Sequence, residues 1–285
     1  YMEMDTVHAL PILRSAYQTL TKSERRIADY INIHSKEVLE ETVSDLAQNT
    51  QSSEITVSRF CKKLGFSGLQ GLKIALAKEV YSIDETIYQD VRHGDSYEVI
   101  AGKMFRNIAE GLQDTITLLN FSDVDAAVQM LIHANRIVVY GFGNSATVCR
   151  DMETRFLRFG KPVQAYSDGH LQVTSAALLT SQDVVVAISH TGGSIDLLHS
   201  VDVAKKSGAK VIGITSYVNS ALVKRVDIML HGMGREIKYQ SESVASRLIH
   251  MAIVDLLYMG VAMQSTNTYR ENIRKMREVI AEKRI

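Results

Sequence analysis

The chain has 285 residues, 46% of them hydrophobic and 22% charged, with equal numbers of acidic and basic side chains and two cysteines. That length accommodates two domains, and the composition is that of an ordinary globular protein, not of a disordered or disulfide-stapled one. Apolar runs approaching the ~20 residues of a bilayer span are not evident, the start lacks a secretory pattern, and the nine histidines lack metal-ligand spacing. A cytoplasmic protein with no cofactor, no metal and no membrane partner is therefore expected.

Residues 1–80 read as entirely helical. Thr21-Lys22-Ser23-Glu24 opens a helix with Ile27, Tyr30 and Ile31 on one face. Thr42 to Ala47 forms a short second helix, the chain turns at Asn49 to Ser52, and Ser53 caps a third. There Val57, Phe60, Cys61 and Leu64 fall at i, i+3, i+4 and i+7, a buried stripe. At 100° per residue the opposite face carries Ile55, Arg59 and Lys62, flanked by Ser58 and Lys63, and Gly65 stops the helix. Two short helices, a tight turn and a basic, hydroxyl-bearing outer face describe a helix-turn-helix. Residues 51–78 set Arg59, Lys62, Lys63, Lys73 and Lys78 against Glu54 alone, a net charge of +4. Charge focused in this way suits phosphate contact, although a small helical packing domain with a solvated face has the same geometry. The candidate DNA-contacting residues are Ser53, Ile55, Thr56, Ser58, Arg59, Lys62, Lys63 and Lys73.

Residues 81–122 are expected to be a helical linker, hinged between Ser82 and Gly94. Asp95-Ser96 caps a helix carrying Val99, Ile100, Met104, Ile108, Leu112 and Ile116, and Asp123-Val124-Asp125 starts another that ends near Ala134.

Over residues 123–285 strands and helices alternate, with strands expected at 137–141, 162–167, 183–189, 210–216 and 227–231. Helices are expected near Ser145, His170, Ser194, Asn219 and Glu242, and a charged helical tail runs from Tyr269. Such alternation gives a parallel sheet covered on both faces, whose ligands sit at the carboxyl ends of the strands. Two glycine loops lie there. The first is Gly141-Phe142-Gly143-Asn144-Ser145, and the second is Ser189-His190-Thr191-Gly192-Gly193-Ser194. Glycines let the backbone approach a ligand, hydroxyls donate to it, and a helix N-terminus favours an anion. The second loop has no lysine, so it is not an ATP-type loop. Gly141-x-Gly143-x-x-Ala146 also fits a dinucleotide fingerprint, with Asp168 where a ribose-binding acid would sit. Ser189 and His190 have the residue types of a nucleophile and its base, but adjacent residues at a strand end point apart and no nucleophile elbow surrounds them.

The two loops in this order resemble the SIS (sugar isomerase) domain, which binds phosphosugars. Thr42-Val43-Ser44-Asp45-Leu46-Ala47, followed by Ser53 to Phe66 and Ser67-Gly68-Leu69-Gln70-Gly71-Leu72-Lys73, resembles the helix-turn-helix of RpiR-type bacterial transcription regulators. That family joins such a domain to a C-terminal SIS domain, and the resemblance covers roughly residues 10–80 and 125–262. One departure is Ile55, bulky where the family usually has a small residue. The resemblance implies an all-α DNA-binding domain followed by a flavodoxin-like α/β domain with a five-stranded parallel sheet. It implies a regulator of a sugar-catabolic operon, a repressor and not an enzyme, acting as a homodimer or homotetramer on operator DNA. Its effector would be a sugar phosphate held by Gly143, Asn144, Ser145, Ser189, His190, Thr191 and Ser194, with His170 and Glu242 added by the family pattern. The alternatives are a phosphosugar aldose–ketose isomerase, with Glu242 or His170 as base, and a dinucleotide-sensing regulator.

Overall fold

A computed structural model describes residues 9–80, 94–234 and 244–283. The N-terminal part consists of α1 (Ala9–Ala16), α2 (Lys22–Ile33), α3 (Ser35–Val38), α4 (Val43–Asn49), α5 (Glu54–Lys63) and α6 (Leu69–Val80). Reciprocal capping boxes start two of these helices. Thr21 and Glu24 exchange bonds at the head of α2, and Thr42 and Asp45 do so at α4. Each such cap is worth about 1 kcal/mol because it satisfies backbone N–H groups that the helix cannot. Leu13, Ile27, Ile31, Leu46, Val57, Phe60, Cys61, Leu72 and Leu76 close into one core, the stripe expected for α5 among them.

Two long helices follow, α7 (Tyr97–Leu118) and α8 (Phe121–His133), then β1 (Arg136–Tyr140) and α9 (Asn144–Phe156). Next come β2 (Val163–Tyr166), α10 (Gly169–Ala177), β3 (Asp183–Ser189), α11 (Ile195–Lys206), β4 (Lys210–Thr215) and β5 (Ile228–His231). The described chain ends with α12 (Val244–Gln264) and α13 (Thr266–Ala281). All strand pairs are parallel and the order is β2-β1-β3-β4-β5, with Val138 opposite both Gln164 and Val185. Side chains alternate across the sheet. Ile137, Val139, Val184, Val186 and Ile188 pack with α8, α9 and α12 on one face. On the other, Val138, Tyr140, Val185 and Ala187 meet Leu197 and Val201 of α11. Burial on both faces explains why these strands read as unbroken apolar runs. The strand order reverses between β1 and β3, which opens a crevice at their carboxyl ends.

Several expectations are corrected. No helix forms at Asn219: residues 218–219 and 221–225 are turns, and Leu222 N–H donates to Gly192 O at 3.0 Å, so this segment braces the glycine loop. Helix α8 starts two residues before Asp123, where the Asn120 side chain accepts from Ser122 N–H. On α7, which carries the apolar residues named above, the buried residues are Gly111, Asp114 and Thr115, whereas Val99, Leu112 and Ile116 are exposed. Helix α12 is long and apolar enough to cross a membrane, with mean hydropathy 1.4 over Ala245–Gln264, contrary to the reading of the sequence. Half of that stretch is buried here, with Ile253, Val254, Leu257 and Val261 in the sheet core. Most of the expected hinge, residues 82–93, lies outside the described residues, as does Glu242.

Candidate functional site

The crevice is built by what leaves the ends of three strands. After β1 the chain passes through Gly141, where a Cβ would press on Cys149 Sγ and on Ile188 O at 3.0 Å. It reaches Gly143 at φ 52° and ψ −127°, a conformation for glycine, and enters α9. After β3, Ser189 Oγ accepts from Gly192 N–H at 3.0 Å and Thr191 Oγ1 accepts from Gly193 N–H at 3.3 Å. Gly192 has φ 61° and lies against Ser220 and Thr215, so no larger residue fits. Ser194 then starts α11.

Six other helix starts differ from these two, although α3 and α13, which lie away from the strand ends, also lack a side-chain cap. Thr21, Thr42, Ser53, Ser96, Asn120 and Asp168 each place a side-chain acceptor on a backbone N–H of α2, α4, α5, α7, α8 and α10. Neither α9 nor α11 has such a side-chain cap, and both begin at the crevice. Uncapped N–H groups and two positive dipole ends suit an anion. Asn144, Ser145 and Ser194 are half-buried beside them, and Thr191 is exposed.

Asp168 is engaged otherwise. Its carboxylate accepts from Leu171 N–H at 2.9 Å as the cap of α10, the role opposite to that of a free ribose-binding acid. His170 lies in the first turn of α10 and is exposed.

Sequence reasoning missed the third wall. At the end of β4, Thr215 Oγ1 and Ser216 N–H both donate to His190 O, at 3.2 and 3.1 Å. The Ser216 hydroxyl lies 2.9 Å from His190 Nδ1, and the Tyr217 ring leans on the imidazole with centroids 5.3 Å apart. Beneath them His250 Nε2 approaches Gly232 O at 2.9 Å and Ser216 Oγ at 3.2 Å. Burial, and to a smaller extent the nearby His190, pushes His250 down to about 4, so it is neutral at pH 7. A carbonyl can only accept, which places the His250 proton on Nε2. No motif announces Ser216; its only sequence signal is a hydroxyl pair at the end of an apolar strand.

A separate cavity of about 200 Å³ sits at the other end of β1, lined by Leu131, Ile132, Phe156, Phe159, Val261 and Tyr269 among others. Its lysine, Lys161, donates to the carbonyls of Leu131, Ile132 and Ala134 and so closes the end of α8.

At the N-terminal end, the turn between α4 and α5 carries Gln51 at φ 50°, and Arg26 donates to the Gln51 carbonyl at 2.7 Å. Helix α5 buries Val57, Phe60 and Cys61 and presents Ile55 (71% exposed), Arg59 and Lys62 to solvent. Ser53 and Thr56 share a hydroxyl bond at its start, Ser58 is half-buried, and Lys73 on α6 is half-buried nearby. Lys63 is directed elsewhere: its ammonium meets Glu24 at 2.7 Å and the Thr19 carbonyl at 3.1 Å, tying α5 to α2. Both cysteines are free and buried, and burial pushes the Cys61 thiol up to about 11, so neither is a nucleophile.

The family model for the helix-turn-helix domain of the rpiR family matches residues 7–82, and the model for the SIS domain matches 130–260. An uncharacterized HTH-type transcriptional regulator from Haemophilus influenzae is 31% identical over 275 residues, 95% of this chain and 96% of that protein. The chain belongs to the rpiR family. Among its rpiR relatives, a bifunctional protein glk from Burkholderia orbicola is 37% identical over 259 residues, 91% of this chain. The match spans only 40% of that relative's length. Among solved structures, the NanR protein of Vibrio vulnificus complexed with ManNAc-6P superposes with TM-score 0.61 at 28% identity, covering 97% of this chain and 99% of that one. The sugar isomerase domain of an RpiR transcription factor from Sphaerobacter thermophilus shares the SIS fold, with TM-score 0.58 at 20% identity over 63% of this chain and 98% of that one.

Proposed function

We propose that this rpiR-family protein is a transcription regulator that reads operator DNA through α5 and senses a phosphosugar at the crevice of its SIS domain. The observation that carries the sensing half is the pair of uncapped helix N-termini, α9 and α11, opening beside the Ser189–Ser194 loop. The phosphate would be bound by the amides and hydroxyls of Gly143, Asn144, Ser145, Ser189, Thr191 and Ser194. His190 would face the ester or sugar oxygens, and His170 and Glu242 would close over the sugar. The likeness to NanR, solved with ManNAc-6P, puts amino-sugar phosphates first among candidates. Asp168, already the cap of α10, speaks against a dinucleotide.

On the DNA side, Arg59, Lys62 and Lys73 would meet phosphates while Ile55, Thr56 and Ser58 face base edges, with Ser53 at the helix start. Lys63 contributes by holding α5 in place. One helix-turn-helix reads few base pairs, so two copies on a palindrome are required. The exposed apolar residues Phe105, Leu112 and Ile116 of α7 and Met259 and Met263 of α12 offer surface for that pairing. The protein would act in the cytoplasm as a repressor of sugar-catabolic genes, relieved by its ligand, without turning it over.

The test is a thermal-shift screen against hexose, pentose and amino-sugar phosphates, with NAD and NADP as controls. Ligand at a hundred times its Kd stabilises by about 2.7 kcal/mol. Stabilisation by one phosphosugar that Ser189→Ala removes supports the reading; a response to NAD or NADP alone replaces it with a redox sensor.

A further inference from the structure

Ser15 is a hydroxyl in a place the helical core should fill with carbon. It sits on α1, fully buried, between the core residues Leu13 and Ala16. A hydroxyl there is costly unless it is bonded. Its partners lie some 200 residues away: Ser15 Oγ donates to Ser216 O at 2.6 Å and accepts from Val218 N–H at 3.0 Å. Val218 also packs its side chain against the N-terminal core. The same three-residue segment holds His190 from the other side, through Ser216 N–H, the Ser216 hydroxyl and the Tyr217 ring.

We infer that Ser216, Tyr217 and Val218 are the coupling element between the two modules, passing the state of His190 to α1 through Ser15. The inference rests on the reading of the crevice as a ligand site, and it names the route by which that site speaks to the DNA-reading helices. Ser216 is a positioning residue in this scheme, since it acts through His190.

The hydrogen-bond inventory gives the element two arrangements. The Ser216 hydroxyl has one proton and two acceptors in reach, Gly232 O at 3.0 Å and His190 Nδ1 at 2.9 Å. Donation to His190 leaves the imidazole proton on Nε2, a donor 3.4 Å from the Tyr217 hydroxyl. Donation to Gly232 reverses it, and Nδ1–H then donates to Ser216. A ligand oxygen that accepts from Nε2–H in place of the Tyr217 hydroxyl selects the first arrangement. Because the Ser216 N–H is bonded to the His190 carbonyl, a shift of the loop under ligand carries the Ser216 carbonyl, and with it Ser15. Coupling of this kind requires discrete packed states, not a long wire, and here one residue, Ser216, bonds both the ligand loop and α1.

The experiment is a double-mutant cycle in the full chain, read as affinity for a duplex selected by the wild-type protein from a random library, without ligand. His190→Ala should change that affinity by about fivefold or more in the wild-type background, at the low end of measured coupling. In the Ser15→Ala background, and again with Val218→Ala, the same change should fall below about twofold. A His190→Ala effect that is equal in all three backgrounds, none included, overturns the proposal. Phosphosugar binding by wild type and by Ser189→Ala is read separately by thermal shift. Coupling in the cycle with no phosphosugar bound would retire the ligand assignment and leave the route standing.

Discussion

Arg14 of α1 donates to Asp114 of α7 at 2.6 Å, with the two side chains only 14% and 11% exposed. The pair lies one residue from Ser15, so adjacent positions fix α1 to α7 by an ion pair and to the segment after β4 by a hydroxyl. Removing one partner of a buried pair leaves the other desolvated and typically costs about 3–5 kcal/mol. Asp114→Ala should therefore lower stability by about 3 kcal/mol in urea melts, while Arg14→Met with Asp114→Leu should recover much of it. A loss below about 1 kcal/mol for Asp114→Ala would mean that the pair is solvated in solution.

Acid should destabilise the protein through its buried histidines. Burial holds both His231 and His250 at about 4, against about 6.5 when unfolded. Between those values the unfolded chain binds protons that the folded chain refuses, so stability falls as pH drops. It is fully present above about pH 6.5 and lost progressively towards pH 4, by roughly 3 kcal/mol for each group. The His250→Gln variant, whose amide can still donate to Gly232 O, should show a shallower decline in urea midpoint between pH 7 and 4.5. An unchanged slope would place the titration elsewhere.

Gly192→Ala should abolish ligand binding. The added methyl would overlap Ser220 and come within 2.9 Å of Thr215 Oγ1, at a φ that L-residues rarely adopt. The loop must open to accept it, which breaks the Ser189–Gly192 bond. Phosphosugar affinity is expected to fall more than 100-fold, with about 1–3 kcal/mol of stability; calorimetric titration and melting would show both. Gly193→Ala, whose Cβ meets only Thr191 Oγ1 at 3.8 Å, is the control and should retain binding.

Two basic residues four apart on α5 should behave differently. Arg59→Ala should weaken DNA binding and reduce the slope of log K against log salt by about 1, as loss of one phosphate contact does. Lys63→Ala should leave that slope unchanged and cost about 0.5–1 kcal/mol of stability, since its charge lies on Glu24. Ile55→Ala should alter the selected sequence more than the affinity, because a branched side chain on this face can meet a thymine methyl. Equal salt slopes for the Arg59 and Lys63 variants would refute the distinction.

What could be read in the sequence was local or periodic. The α5 stripe, the Ser53 cap, the five strands and both glycine loops each follow from neighbours within a few residues, where period and capping chemistry act directly. The misreadings arose where tertiary partners decide. Asn219 begins a plausible helix, but its segment is held as turns by Gly192. On α7 the apolar residues are the legible ones, yet Asp114 and Thr115 lie inside, because Asp114 pairs with Arg14 and Thr115 bonds to its own helix at Gly111 O. Ser216 and Ser15 were silent because a hydroxyl's importance depends on which distant backbone it meets. Lys63 looked like its neighbour Lys62, and only the position of Glu24 separates them.

The bond from Ser15 to Ser216 also fixes an order of assembly. Helices α1 to α6 draw almost all their core from residues 9–76, so most of that core can form on the ribosome once they have emerged. The sheet waits for β4, since β3 has no second neighbour until Lys210 to Thr215 appear. Contacts of high sequence separation form late, and this one closes a loop of 201 residues. A nascent chain thus acquires a DNA-reading head well before the connection that makes it answerable to a ligand. Truncation during synthesis, between residues 80 and 210, would release a reader that nothing restrains.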